Sequence, residues 1–392
     1  MRFAKITERL QGLGFEKWAV HIDGKRRKAA GEELIFLSIG EPDFPPPAAI
    51  LDVVNERMRA GRTRYSSGRG EPATRQAIAD YYTRRTGRAI DPDQAIFLPG
   101  TQSALYASML AVAGEGDEVL VPDPYYATYE GVIAGAGARL VPMRTLPEDA
   151  FHLTPEILAK HITPRSRVLL LNSPGNPTGA VLNKAEVAAI GALCKRHDLW
   201  IVCDEVYADM VFGGEYHSPF DDAALAERTI IVSSLSKSHA MPGFRCGWAV
   251  GSLEFTDRLL AITEPMLFGS QPFLEDAAAF ALSTHFDEVD QMRQAYIARA
   301  RVVVSGLSNA PAISARMPEG GMFIMVDVRR TGLSGADFAM RLLDEEKVVV
   351  MPGESFGEGG AGHLRVGLTA KEHELEEACR RISSLSGRIV GA

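Results

Sequence analysis

Six short apolar runs punctuate the middle of the chain: Ile96–Leu98, Glu118–Val121, Val168–Asn172, Trp200–Asp204, Thr229–Ser233 and Gly247–Gly251. They are apolar at consecutive rather than alternate positions, so each has to be covered on both faces. Longer helical stretches, Ser103–Val112 and Lys184–His197 among them, lie between. Doubly covered strands separated by helices predict an α/β fold, a mostly parallel sheet with helices on both sides. Beyond about Phe273 the pattern changes. Glu288–Leu307, Gly335–Glu346 and Lys371–Leu385 read as helices, and Gly321–Val328 and His363–Leu368 as strands. This describes a smaller α+β unit. The segment before Glu41 reads as irregular and is expected to dock on it. The expected division is a large domain, 42–287, and a discontinuous small domain, 1–41 with 288–392.

A length of 392 residues leaves room for two such domains. The net charge of −8 works against non-specific nucleic-acid binding. No stretch approaches the roughly 20 apolar residues of a membrane span, and the charged N-terminus does not resemble a secretion signal. The four cysteines lack C-x-x-C spacing, so neither a disulfide framework nor a metal site is expected, and the cytoplasm is the expected location.

In open α/β sheets, ligands bind beyond the carboxyl ends of the strands. Four conspicuous segments stand there: Gly100-Thr101-Gln102, Asn172–Gly179, Asp204–Tyr207 and Ser233–Arg245. Ser173–Gly179 carries two prolines and two glycines, which fix a rigid loop with room for a cis bond. Asp204 closes an otherwise apolar strand, and a buried carboxylate needs a partner, either a protein cation or a cationic ligand. Lys237 follows another buried strand. A lone lysine is ordinarily a surface residue, but a desolvated one becomes a nucleophilic amine able to form a Schiff base. Ser234–Lys237 also reads as the S-x-x-K of acyl-transfer enzymes, but the companion motifs S-D-N and K-T-G are absent. Gly135-Ala136-Gly137 begins like a dinucleotide fingerprint, but Leu140 occupies the position that needs Gly or Ala, so it reads as a turn.

Taken in order, S-P-G-N-P-T-G, D-E-V-Y, S-L-S-K and G-F-R-C-G-W resemble the class I aminotransferases, of the fold-type I pyridoxal-phosphate enzymes. The likeness runs from Ser38–Phe44 to His363–Gly367. It implies a seven-stranded large-domain sheet, a homodimer with shared active sites, and pyridoxal 5′-phosphate as cofactor. By that resemblance Lys237 would bind the cofactor covalently and carry the proton between Cα and C4′. Asp204 would face the pyridine nitrogen, and Tyr207 and Asn176 the phenolic oxygen. Thr101, Gln102, Ser234 and Arg245 would hold the phosphate at a helix N-terminus. Tyr126 would stack on the ring, where many relatives carry Trp. Arg365 would bind the substrate α-carboxylate, and Gly40 belongs to the segment that closes over substrate. Tyr65 and Ser270 would reach the neighbouring subunit's cofactor.

The resemblance implies transfer of an amino group from an L-amino acid to a 2-oxo acid in two half-reactions. Aspartate-type members read the distal carboxylate with an Arg shortly before the Ser270 position or a Lys at the Gln102 position. Glu264–Gly269 holds no basic residue, and Gln102 is neutral. Ser234–Met241, Gly320–Asp327 and Ala361–Arg365 are similar to bacterial arginine–pyruvate transaminases. A basic donor with pyruvate is therefore favoured over a broad aspartate/aromatic specificity. A C–S β-lyase shares the same motifs. A DNA-binding regulator of this fold adds a helix-turn-helix domain, for which the roughly 40 residues before the motifs leave little room.

Overall fold

The structure is a computed structural model and describes residues 1–13 and 16–391. Seven strands form the main sheet: β1 (Ala95–Pro99), β2 (Glu118–Asp123), β3 (Arg139–Arg144), β4 (Ser166–Asn172), β5 (Trp200–Asp204), β6 (Thr229–Ser234) and β7 (Cys246–Val250). Their spatial order is β1-β7-β6-β5-β4-β2-β3. β7 runs antiparallel to both its neighbours, and the other pairs are parallel. The fold is thus that of the fold-type I pyridoxal-phosphate enzymes, as the apolar runs and the resemblance led one to expect. β5, β6 and β7 are buried almost end to end. Apolar side chains on either sheet face join the flanking helices in three separate clusters.

β3 escaped the sequence reading. It is an edge strand with Arg139, Pro142 and Arg144 exposed, so it lacks a continuous apolar run. Proline is tolerated there because an edge amide has no ladder partner to lose. The Gly135–Gly137 turn is the end of helix Tyr129–Ala136, with Gly137 in the left-handed conformation at its C-cap. Helix Lys184–Arg196 begins with a capping box between Asn183 and Glu186, worth about 1 kcal/mol.

A second, antiparallel sheet contains β8 (Ser314–Ala315), β9 (Phe323–Asp327), β10 (Met351–Pro352) and β11 (His363–Gly367), in the order β10-β11-β9-β8. Helices Asp287–Leu307, Gly335–Glu346 and Glu372–Val390 contribute to its apolar cluster. Val20 and Leu37 join the same cluster. The expectation of an irregular N-terminal segment needs correcting. Ala19–Ala29 is a helix, and Ile35–Phe36 pairs in parallel with Val348–Val349. That helix is rich in Lys and Arg and has only a few buried positions, so it carries little apolar periodicity.

Candidate active site

The carboxyl ends of β4, β5 and β6 open onto one cavity of about 250 Å³. β4 ends in Asn172, β5 in Asp204 and β6 in Ser234, and Asn172 lies opposite Asp204 in the sheet register. All but two of the residues singled out from the sequence line this cavity.

Asp204 is buried. Its carboxylate accepts hydrogen bonds from the Tyr129 hydroxyl at 2.8 Å and the Val206 amide at 3.3 Å. Burial pushes its pKa up to about 6, against the pull of those donors and of Lys237. Lys237 sits in the short helix Leu235–Ser238, whose N-cap Ser234 accepts from the Ser236 amide. The Lys237 amine donates to the Gly40 carbonyl. Burial lowers its pKa to about 8, aided by Arg365 and Arg245 and opposed by Glu41 and Asp204. A substantial fraction is therefore neutral, and nucleophilic, near physiological pH.

At one end of the cavity helix Gly100–Val112 presents its N-terminus, where free amides and the helix dipole favour an anion. The Thr101 hydroxyl donates to Ser234 Oγ at 2.8 Å, and Gln102 Oε1 accepts from Thr128. The Arg245 guanidinium lies over Gly100 and donates to the carbonyls of Pro242 and Pro99. Gly100 has φ +81°, and a Cβ there would stand 2.3 Å from Arg245 Nη2. Glycine is required on both counts.

Arg365, on β11, is 2% exposed and lies between the rings of Phe323 and Phe356, at 4.1 and 4.5 Å. Its guanidinium donates to Asn176 Oδ1 at 2.9 Å and to the Ser38 carbonyl at 2.6 Å, while Nε has no partner among the described residues. Burial lowers its pKa to about 10. Asn176 is carried on the Ser173–Gly179 loop, with cis bonds at Pro174 and Pro177, and its amide donates to Asn172 Oδ1 at 2.7 Å. Tyr207 meets Phe323 edge-on, and Tyr126 meets Tyr129 edge-on at 5.7 Å. Burial raises the pKa of both cavity phenols, so they stay protonated and able to donate.

Tyr65 and Ser270 lie apart from this cavity. Tyr65 is 83% exposed and packs edge-on against the exposed Phe268, and Ser66 Oγ accepts from the Ser270 amide. Conversely, Trp18, Phe323 and Asn172 line the cavity with no role assigned to them from the sequence, Asn172 having stood out only as the start of the Asn172–Gly179 segment. Asn172 Nδ2 donates to the Asp204 carbonyl and so ties the loop to the strand end. Its position closing an apolar strand beside Ser173 was the available signal. Tyr129 had none, because only its contact with Asp204 marks it.

Lys237, Arg245, Arg365 and Asp204 share the cavity, and among the described residues none has an oppositely charged partner within 4.0 Å. Asp204 and Arg365 are buried and Lys237 is half-buried, and leaving such charges without neutralisation is costly. Their neutralisation calls for a ligand set with a reactive carbonyl, a cationic ring nitrogen, a phosphate and a carboxylate. Pyridoxal phosphate with an amino-acid substrate carries that set, so the residues present fit the cofactor. Fold and site together define a pyridoxal-phosphate-dependent aminotransferase acting on amino-acid and 2-oxo-acid substrates. The chain belongs to the family described as aminotransferase class I and II, which it matches over residues 32–382. It is 44% identical over 391 residues, the whole of both chains, to the arginine–pyruvate transaminase of Pseudomonas aeruginosa. It is 33% identical to the aspartate aminotransferase of Geobacillus stearothermophilus, over 93% of this chain and 94% of that one. A solved double mutant of Thermus thermophilus aspartate aminotransferase superposes with a TM-score of 0.93 at 30% identity, covering 98% of this chain and 100% of that one. Among the described residues no helix is long and apolar enough to cross a membrane.

Proposed function

We propose that this aminotransferase takes the amino group of arginine and passes it to pyruvate. The observation that carries this reading is that the cavity's cations are already committed. With Lys237 assigned to the amine chemistry, Arg245 to the phosphate and Arg365 to the α-carboxylate, no lining cation among the described residues is left for a distal carboxylate. The full-length similarity to an arginine–pyruvate transaminase supports it. A broad aspartate/aromatic specificity is the second reading, favoured by relatives such as the Geobacillus enzyme.

Pyridoxal phosphate, when bound, supplies the electron sink that makes the substrate Cα acidic. The chain's own groups do the rest. The Arg365 fork binds the α-carboxylate, and Phe323 and Phe356 keep water from its faces. The Lys237 amine would take the proton from the substrate Cα and hold it for return. Its pKa of about 8 suits both directions of transfer near neutral pH. Asp204 would hold the proton on the ring nitrogen. Tyr207 and Asn176 would donate to the phenolic oxygen, and Tyr126 would stack on the ring. Thr101, Gln102, Ser234 and Arg245 would hold the phosphate.

The domain division at 42–287 and 1–41 with 288–392 is part of the same reading. The apolar cluster that joins Val20 and Leu37 to residues 292–385 supports it. So is a homodimer, supported by the exposed apolar patch of Tyr65, Met266 and Phe268, from which Tyr65 and Ser270 would reach the partner's cofactor. A cytoplasmic location agrees with four cysteines that are all free and buried. A donor panel with pyruvate as acceptor tests the substrate assignment. The expected result is a kcat/KM for arginine above that for aspartate. A value for aspartate far above arginine overturns it, and acceptor-independent release of pyruvate and ammonia from cystathionine would point instead to a C–S lyase.

A further inference from the structure

Tyr129 does not line the cavity, yet it holds the carboxylate on which the cofactor's electronic state depends. It is 1% exposed, in the first turn of helix Tyr129–Ala136, and its hydroxyl donates to Asp204 Oδ2 at 2.8 Å. Glu205, Lys237 and the phenols of Tyr126, Tyr207 and Tyr129 are the titratable groups around Asp204. Among the described residues only Tyr129 reaches the carboxylate with a side-chain hydrogen bond. The other donor, the Val206 amide, is longer and serves Oδ1. The Tyr129 ring also meets Tyr126 edge-on, with planes at 90°, so the same residue braces the aromatic wall of the cavity.

A buried carboxylate stays ionised only if hydrogen bonds or charges replace its lost hydration. Here the Tyr129 phenol is the foremost of the groups that supply that replacement, ahead of the Val206 amide and Lys237, and its own proton is held firmly because burial and the neighbouring carboxylate both oppose its loss. We propose that Tyr129 is a positioning residue. Its hydroxyl keeps Asp204 ionised and aimed into the cavity, and so fixes the protonation of the cofactor's ring nitrogen. This inference rests on the assignment of Asp204 to that nitrogen.

Tyr129→Phe removes the hydroxyl and leaves the ring against Tyr126. The holoenzyme is loaded with pyridoxal phosphate carrying 15N in the ring, and the nitrogen signal is read at pH 7.5 without substrate. The expected signal moves toward that of a neutral ring. The acid limb of kcat/KM rises by about one to two pH units, the shift that a charge-assisted hydrogen bond to a carboxylate represents. Tyr129→His, which keeps a ring donor, is expected to restore much of the wild-type signal. A wild-type nitrogen signal in Tyr129→Phe overturns the proposal. So does an equal shift in the histidine variant, which would assign the effect to packing. Asp204→Asn separates the two levels. If it too keeps the protonated-ring signal, the assignment of Asp204 fails. If it loses that signal while Tyr129→Phe keeps it, Tyr129 alone fails.

Discussion

Gly100→Ala is a one-carbon change that sets the energetics of the fold against those of the phosphate site. Gly100 sits at φ +81°, in a region that costs an L-residue about 1–2 kcal/mol. The new Cβ would stand 2.3 Å from Arg245 Nη2, 2.7 Å from Cζ and 3.0 Å from Nη1. Normal contact needs about 3.5 Å, so the guanidinium has to move by roughly 1 Å. It is the far end of a flexible side chain, so the fold loses little beyond the backbone strain. For a domain of this size that amounts to a fall in Tm of about 2–8 °C. The phosphate site is less tolerant, because a charge-assisted hydrogen bond is worth about 1.5–3 kcal/mol and depends on its geometry. Cofactor affinity should therefore fall by about 10- to 100-fold. Apoenzyme titrated with pyridoxal phosphate and followed by absorbance gives the affinity, and calorimetry of the same apoenzyme gives Tm. An affinity within twofold of wild type would refute the placement of the phosphate against Arg245. A Tm loss well above 10 °C would refute the claim that the strain is local.

Three further outcomes are expected. Lys237→Ala should abolish transamination and leave no residue from which borohydride traps the cofactor, with the fold intact; peptide mapping that finds trapped cofactor elsewhere would contradict it. Arg365→Lys loses the stacked, forked geometry between Phe323 and Phe356, so KM should rise at least about tenfold for every amino donor alike. A rise confined to one donor would mean that Arg365 reads the side chain instead. His152 lies 2.8 Å from both Glu186 and Glu319, and its pKa is raised to about 9 by the Glu319 hydrogen bond, with burial opposing and Glu186 assisting. A raised histidine contributes stability in full below about pH 6.5 and loses it as pH climbs through about 9. Urea midpoints at pH 6, 7.5 and 9 should therefore fall more in wild type than in His152→Ala, and parallel curves would count against the pairing.

Much of this enzyme is local in origin. The apolar runs of β4, β5, β6 and β7 announce themselves because a strand buried on both faces has to be apolar throughout. Lys237, Asp204 and Asn176 stand out because they interrupt or follow such runs with groups a buried strand end does not otherwise tolerate. β3 stayed hidden because an edge strand escapes that requirement. The helix at Ala19–Ala29 stayed hidden because it buries too little to leave a periodic trace.

The contacts that make the site work are of another kind. Tyr129 meets Asp204 across 75 residues, Arg365 meets Asn176 across 189, and Arg365 meets the Ser38 carbonyl across 327. Sequence by itself determined which residue types stand at the strand ends, and therefore the class of chemistry. Only the tertiary structure decided which groups face one another, that Asp204 and Arg365 are buried with no ion-pair partner among the described residues, and that Tyr65 and Ser270 sit away from the cavity of their own chain. The physical reason is range. Periodicity and capping are settled within a few turns of chain, whereas hydrogen bonds and charge pairing are settled by sheet register and by how the two sheets close on each other.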